Sequence, residues 1–340
     1  MDYASYKQFC SELLREGRVL RLDCMNPVRS LSPLGLNILR TGAQVSASID
    51  ETVFAWSRAT GIELDPERTV VGCGVRVLLS AAFSSVLSSR QELWLPEDVY
   101  PVYRGIAENL DVKLRSFLTL PRPNLDFLAE TGKRAAVVLP VPFSPLGRLP
   151  NDAEVSALRG WLHDSKDRLL ILDAVYMFDF EASRPLIDSF LDQNGDQCIV
   201  LWSCSKSWLS PGLFGLAVAP PGVAGTLRRR VLPPDRSNLG GMKLLLETRP
   251  DLSRMLQGAF AREWERLGPF ISALDADWTP PTTGYVSVLH ASFTQLLDEH
   301  GVLSVPASVF GSQHEDLSIV TCLYSLAEHT EVFEATARGL

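Results

Sequence analysis

From about residue 67 to residue 220, short unbroken apolar runs alternate with stretches whose apolar residues recur at helical spacing. The runs are Leu93 to Leu95, Ala135 to Leu139, Leu169 to Leu172, Cys198 to Trp202 and Leu216 to Ala219. A strand with one wet face alternates apolar and polar residues, whereas a run that is apolar at every position belongs to a strand covered on both faces. Such runs separated by helical patterns predict right-handed crossovers and an α/β fold, with a mostly parallel sheet and helices on both faces. Ligands of such sheets lie outside the carboxyl ends of the strands, so chemistry is expected in the residues that follow each run.

The pattern differs on either side of this region. Residues 1–60 mix helical and irregular signals, with Asn26-Pro-Val-Arg-Ser-Leu-Ser-Pro-Leu-Gly35 as a loop. Pro220-Pro221-Gly222 marks a boundary, and a helical stretch then runs through about Leu267 into a smaller α+β part. We expect an N-terminal arm with part of a small domain (1–60), a large domain (61–220), and a linking helix with a C-terminal small domain (221–340). A chain of 340 residues exceeds the size at which one core usually stops growing, in keeping with two closely joined domains.

Four segments carry candidate chemistry. In Leu201-Trp-Ser-Cys-Ser-Lys-Ser-Trp-Leu-Ser-Pro-Gly212, Lys206 stands between small hydroxyl residues directly after a buried run. A lysine amine attacks an aldehyde only when unprotonated, so a site of this kind has to lower its pKa by desolvation or a neighbouring cation. An ordinary surface lysine would leave the same local pattern. Leu169-Leu-Ile-Leu-Asp-Ala-Val-Tyr176 ends a buried run in a carboxylate. Asp173 can pair there with a protonated pyridine nitrogen, or it can cap a turn. Tyr176 stands three residues on. Thr69-Val-Val-Gly-Cys-Gly-Val75 reads as a strand turning into a helix N-terminus, where Gly72, Cys73, Gly74 and Val75 would expose amides to a phosphate. Tight turns use glycine without any ligand as well. In Leu93-Trp-Leu-Pro-Glu-Asp-Val-Tyr-Pro-Val-Tyr103, Tyr100 can stack on a planar ring, with core packing as the alternative for Tyr103.

In this order and spacing, the segments resemble the class I/II aminotransferase family, the fold type I enzymes that use pyridoxal 5′-phosphate, over roughly Glu67 to Pro220. The family's Ser-x-Ser-Lys is matched by Ser203, Ser205 and Lys206, its Asp-x-x-Tyr by Asp173 and Tyr176, its phosphate turn by Gly72 to Val75, and its stacking aromatic by Tyr100. Val141-Pro-Phe-Ser-Pro-Leu-Gly147 stands for an asparagine-containing loop, with Ser144 at the ring-oxygen position. The resemblance implies a fold type I PLP-transferase: a large domain built on the mostly parallel sheet, plus a small α+β domain. It also implies a Schiff base (internal aldimine) on Lys206, most simply for transamination of a small amino substrate, and a homodimer. A PLP-dependent lyase, cyclase or decarboxylase, or a cofactor-free binding or regulatory homologue, are its alternatives.

Two departures stand out. Phe214 occupies the place of the family's phosphate-binding arginine, leaving the helix terminus and Arg76 for that task, and Ser318 occupies the place of the arginine that binds a substrate carboxylate. Arg148, Arg228, Arg229, Arg230 and Arg236 are available cations, and a substrate without that carboxylate is the other resolution. Thr282 to Leu289 resembles the family's Gly-aromatic strand at the substrate pocket, which would put Tyr285 at its edge, with ordinary strand packing as the equal alternative.

Charge and cysteine usage narrow the class. A net charge of −8 argues against nucleic acid as a partner, because phosphate-backbone affinity needs clustered cations. The six cysteines have no C-x-x-C spacing and the five histidines no i, i+4 ligand pair, so neither a metal nor a disulfide framework is expected. No apolar run is long enough to span a bilayer, and residues 1–10 lack a signal-peptide pattern, which makes the cytoplasm the expected location.

Overall fold

The structure is a computed structural model that describes residues 2–16, 19–31, 45–99, 101–210, 214–274 and 276–323. Its centre is a seven-stranded sheet in the order Thr69–Gly72, Gly215–Val218, Cys198–Ser203, Leu169–Asp173, Ala135–Pro140, Glu92–Pro96, Leu114–Phe117. All five apolar runs lie in it. Only Gly215–Val218 runs against the rest, antiparallel to both its neighbours. The segment 204–214 that leads into it is too short for the dozen or more residues that a parallel crossover needs. Leu114–Phe117, an edge strand with exposed Arg115 and Ser116, was not expected, because a half-exposed edge leaves no apolar run to read.

Alternation along each strand serves two separate cores. Leu170, Leu172, Val137, Leu139, Val200 and Trp202 face one side. Leu169, Ile171, Ala136, Val138, Ile199 and Leu201 face the other, against the helix Val75–Ser88 and Tyr103. The same parity carries Pro140, Asp173 and Ser203, the last residues of three adjacent parallel strands, towards the second side. The carboxyl edge of the sheet therefore gathers them beside the start of Val75–Ser88.

Helices and a second sheet flank this core. Pro221–Arg230 packs on Val75–Ser88, and Arg236–Thr248 packs on Ile49–Thr60. An antiparallel sheet of Val305–Pro306, Ser318–Thr321, Val286–His290 and Asp277–Trp278 forms the C-terminal part. The N-terminal segment joins this part: Leu20–Arg21 pairs in parallel with Val302–Leu303, and the Thr321 amide donates to the Leu22 carbonyl at 2.7 Å. Tyr285 is fully buried, and its hydroxyl donates to the Met25 carbonyl at 3.0 Å. It ties the arm down and does not line the pocket it was expected to edge.

Candidate active site

A cavity of about 770 Å³ opens at the carboxyl edge of the sheet, within the range of sites that bury a small ligand. Cys73, Gly74, Val75, Ser144, Asp173, Tyr176, Ser203, Ser205 and Lys206 all line it, together with Lys7, Asn26, Arg76, Tyr103 and Ser210. Segments as far apart in the chain as Cys73 and Lys206 thus converge on one cavity. Gly72 does not reach the cavity: it ends its strand with the Val231 and Leu78 side chains against its Cα. Tyr100 lies outside the described residues.

Gly74 makes the turn between strand and helix possible. Its φ is 83°, a left-handed conformation that costs a residue with a Cβ, and it caps Val75–Ser88 without a side-chain acceptor. The first amides of that helix are therefore left for a ligand, and the helix dipole favours an anion there. Gly215 packs against this turn so closely that a Cβ would lie 2.6 Å from the Gly74 carbonyl carbon. The start of the strand Gly215–Val218 is thereby held against the phosphate-type turn.

Lys206 sits in the short helical turn Cys204–Ser207, capped by Ser203, whose Oγ accepts from the Ser205 amide at 3.2 Å and donates to Ser205 Oγ at 2.9 Å. Burial lowers its pKa to about 8; Cys24 works against this and Arg76 adds to it. Its Nζ lies 5.9 Å from the Tyr176 ring centroid. The chain leaves the turn through Leu209, left-handed at φ 52° and buried, a strain that for a non-glycine residue costs on the order of 1 kcal/mol. The Ser210 amide donates to the Cys204 carbonyl at 3.2 Å, and Ser210 Oγ, buried on the cavity wall, has no hydrogen-bond partner.

Asp173 is the opposite case of pKa tuning. Burial raises its pKa to about 6, partly offset by two donors: the Tyr103 hydroxyl at 2.6 Å and the Val175 amide at 3.2 Å. Both donors are neutral, so a carboxylate there is buried without a paired cation among its hydrogen-bond partners. For Tyr103 the sequence offers core packing as the alternative. It is buried, and its one polar atom reaches a carboxylate 70 residues away.

The other candidate cations are engaged elsewhere. Arg148 forms a two-pronged pair with Glu154 at 2.7 and 2.8 Å, and Arg228 donates to the carbonyls of Pro66, Glu67 and Thr69. Arg229 bonds Thr226, and Arg230 bonds Ser84 and Ser88. Of these and Arg236, none lines the cavity; among the described residues, the lining arginine is Arg76. Phe214 is buried, with its carbonyl accepting from Ser203 Oγ at 3.5 Å, and Ser318 is buried with its hydroxyl unpartnered. Met25, Val28, Phe310 and Ile319 give the cavity an apolar wall that the sequence did not single out. Among the described residues, no group of His, Cys, Asp and Glu could hold a metal, and no helix is long and apolar enough to cross a membrane.

Comparison with known proteins agrees with this arrangement. Residues 41–335 match the aminotransferase class I and II family. Histidinol-phosphate aminotransferase of Aromatoleum aromaticum is 26% identical over 250 residues, covering 68% of this chain and 66% of the relative. Valine–pyruvate aminotransferase of Mycobacterium tuberculosis is 27% identical over 159 residues, 44% of this chain and 41% of the relative. The chain therefore spans less than two thirds of these two relatives; for asparagine–oxo-acid transaminase of Streptococcus mutans, 23% identical, the share is 75%. In fold, the chain is similar to YbdL of Escherichia coli, a methionine aminotransferase, with a TM-score of 0.75 at 18% identity over 95% of each chain. It is equally similar to a double mutant of Thermus thermophilus aspartate aminotransferase, with a TM-score of 0.75 at 19% identity over 99% of this chain and 96% of the other. By its sequence match, its sheet and its layout, the chain belongs to the class I and II aminotransferases, a family of fold type I transferases dependent on pyridoxal 5′-phosphate.

Proposed function

We propose that Lys206 is the lysine that carries the cofactor, and that the protein moves an amino group between a small amino substrate and an oxo acceptor. One observation carries this reading: a lysine with its pKa lowered to about 8 and a carboxylic acid with its pKa raised to about 6 line the same cavity. Pairs of groups pushed in opposite directions mark acid–base sites. The surrounding residues fit the cofactor. Asp173 has only neutral donors, so a protonated ring nitrogen would complete it. The Gly74 turn offers uncapped amides for a phosphate, and Ser210 Oγ is a buried donor in need of an acceptor.

When bound, the cofactor supplies an electron sink for charge that develops on the substrate carbon. Lys206 Nζ, half neutral near pH 8, would take a proton from the substrate carbon and give it to the cofactor's aldehyde carbon. Asp173 would hold a proton on the ring nitrogen, and Tyr103 holds Asp173 in place. Tyr176 and Ser144 would offer hydroxyls to the ring oxygen. Cys73, Gly74 and Val75, with Ser203 and Ser205, would hold the phosphate.

The apolar wall of Met25, Val28, Phe310 and Ile319, with Ser318 in the place of a carboxylate-binding arginine, supports an amino substrate with an apolar body. We further propose a cytoplasmic homodimer, with residues 61–220 as the cofactor domain and residues 1–60 and 221–340 completing the second domain. Borohydride reduction after incubation with pyridoxal 5′-phosphate, followed by peptide mapping, tests the site. A phosphopyridoxyl adduct on Lys206, missing in Lys206→Ala, is the expected result; scattered adducts on surface lysines would refute it. Accumulation of aminated cofactor with an amine donor alone would then separate transamination from elimination or decarboxylation.

A further inference from the structure

We propose that Arg76 is the guanidinium that anchors the cofactor's phosphate in this chain, with Ser210 as its neutral partner. This rests on the reading that Lys206 carries pyridoxal 5′-phosphate. Arg76 is the second residue of Val75–Ser88, immediately after the uncapped Gly74 turn, and it lines the cavity together with Gly74, Ser205, Lys206 and Ser210. A side chain leaving the first turn of a helix is carried back towards the helix N-terminus, because Cα–Cβ bonds tilt that way. The Arg76 charge therefore adds to a helix end that already favours an anion.

Three further observations point to the same place. Arg76 is close enough to Lys206 to contribute to the fall of its pKa, so its charge is felt inside the cavity. Ser210 Oγ is 1% exposed, lies on the wall of the same cavity and has no hydrogen-bond partner. A buried hydroxyl left unpaired is costly unless a ligand completes it. Gly215 packs against Gly74, and Ser210 and Gly74 line the same cavity. A guanidinium can fork onto two phosphate oxygens, which a lysine cannot.

The test compares two aldehydes that differ only in the phosphate. Affinity for pyridoxal 5′-phosphate and for pyridoxal is measured from the fraction of Lys206 trapped by borohydride, in the wild-type chain and in Arg76→Gln. Loss of a charge-assisted contact should weaken pyridoxal 5′-phosphate by about ten- to a hundredfold and leave pyridoxal within about twofold. Ser210→Ala should show a smaller loss with the same selectivity, and Arg76→Lys should keep part of the preference. Circular dichroism of each variant separates misfolding from lost binding, and Arg76→Lys keeps the comparison available if Arg76→Gln does not fold. Equal losses for both aldehydes, or no loss for pyridoxal 5′-phosphate, would overturn the assignment of Arg76. No adduct at Lys206 with either aldehyde in the wild-type chain would overturn the cofactor reading, and this inference with it.

Discussion

Lys206 should make the protein without cofactor less stable than it would be with a neutral side chain of similar shape. Burial lowers its pKa from 10.5 to about 8, so the folded state binds a proton less tightly than the unfolded one. The sign follows from linkage: below about pH 8 the amine is charged in both states and folding carries the whole cost of burying it. Between about pH 8 and 10.5 the unfolded state binds more protons, so stability rises with pH, and above that range the penalty is gone. At 1.36 kcal/mol per pKa unit, the cost is about 3 kcal/mol at pH 7 and about 1 kcal/mol at pH 10. Lys206→Met should therefore raise the unfolding free energy of the cofactor-free protein by about that much at pH 7, with the gain shrinking towards pH 10. Urea denaturation of both proteins at several pH values measures the difference directly, and other titrating groups cancel in the comparison. A gain that did not change between pH 7 and pH 10, or a loss at pH 7, would refute the placement of Lys206 as a buried, desolvated cation.

Tyr103→Phe removes a 2.6 Å donor from Asp173, so the Asp173 pKa should climb above about 6. The acidic limb of cofactor binding should then move to higher pH, which a titration of adduct formation against pH would read. Gly215→Ala places a Cβ 2.6 Å from the Gly74 carbonyl carbon, so the Lys206 loop or the turn must move. We expect a lower melting temperature and faster loss of cofactor on dialysis than from the wild-type chain. Arg148→Ala breaks its pair with Glu154 outside the cavity, and should lower thermal stability slightly while leaving cofactor affinity within about twofold, as expected of a half-exposed ion pair.

Local sequence determined those features whose cause is local. A strand buried on both faces must be apolar at every position, so Leu169–Asp173 and Cys198–Ser203 could be read directly, and with them the places of Asp173 and Lys206 at their ends. The positive φ at Gly74 has the same character, because only a residue without a Cβ makes that turn cheaply. The tertiary structure decided which side chains meet. Strand register and parity bring Tyr103 to Asp173 across 70 residues and Tyr285 to Met25 across 260, and no local pattern records either pairing. Arginines that the sequence offers as free cations are consumed by a carboxylate, carbonyls and hydroxyls brought to them by packing. The reversed strand Gly215–Val218, the edge strand Leu114–Phe117 and the unpaired hydroxyl of Ser210 belong to the same class. Each depends on where a distant segment lies. The physical reason is one of range: burial and backbone geometry act on a residue through its neighbours in the chain, whereas a hydrogen bond, an ion pair or a pKa shift depends on what the fold places within a few ångströms.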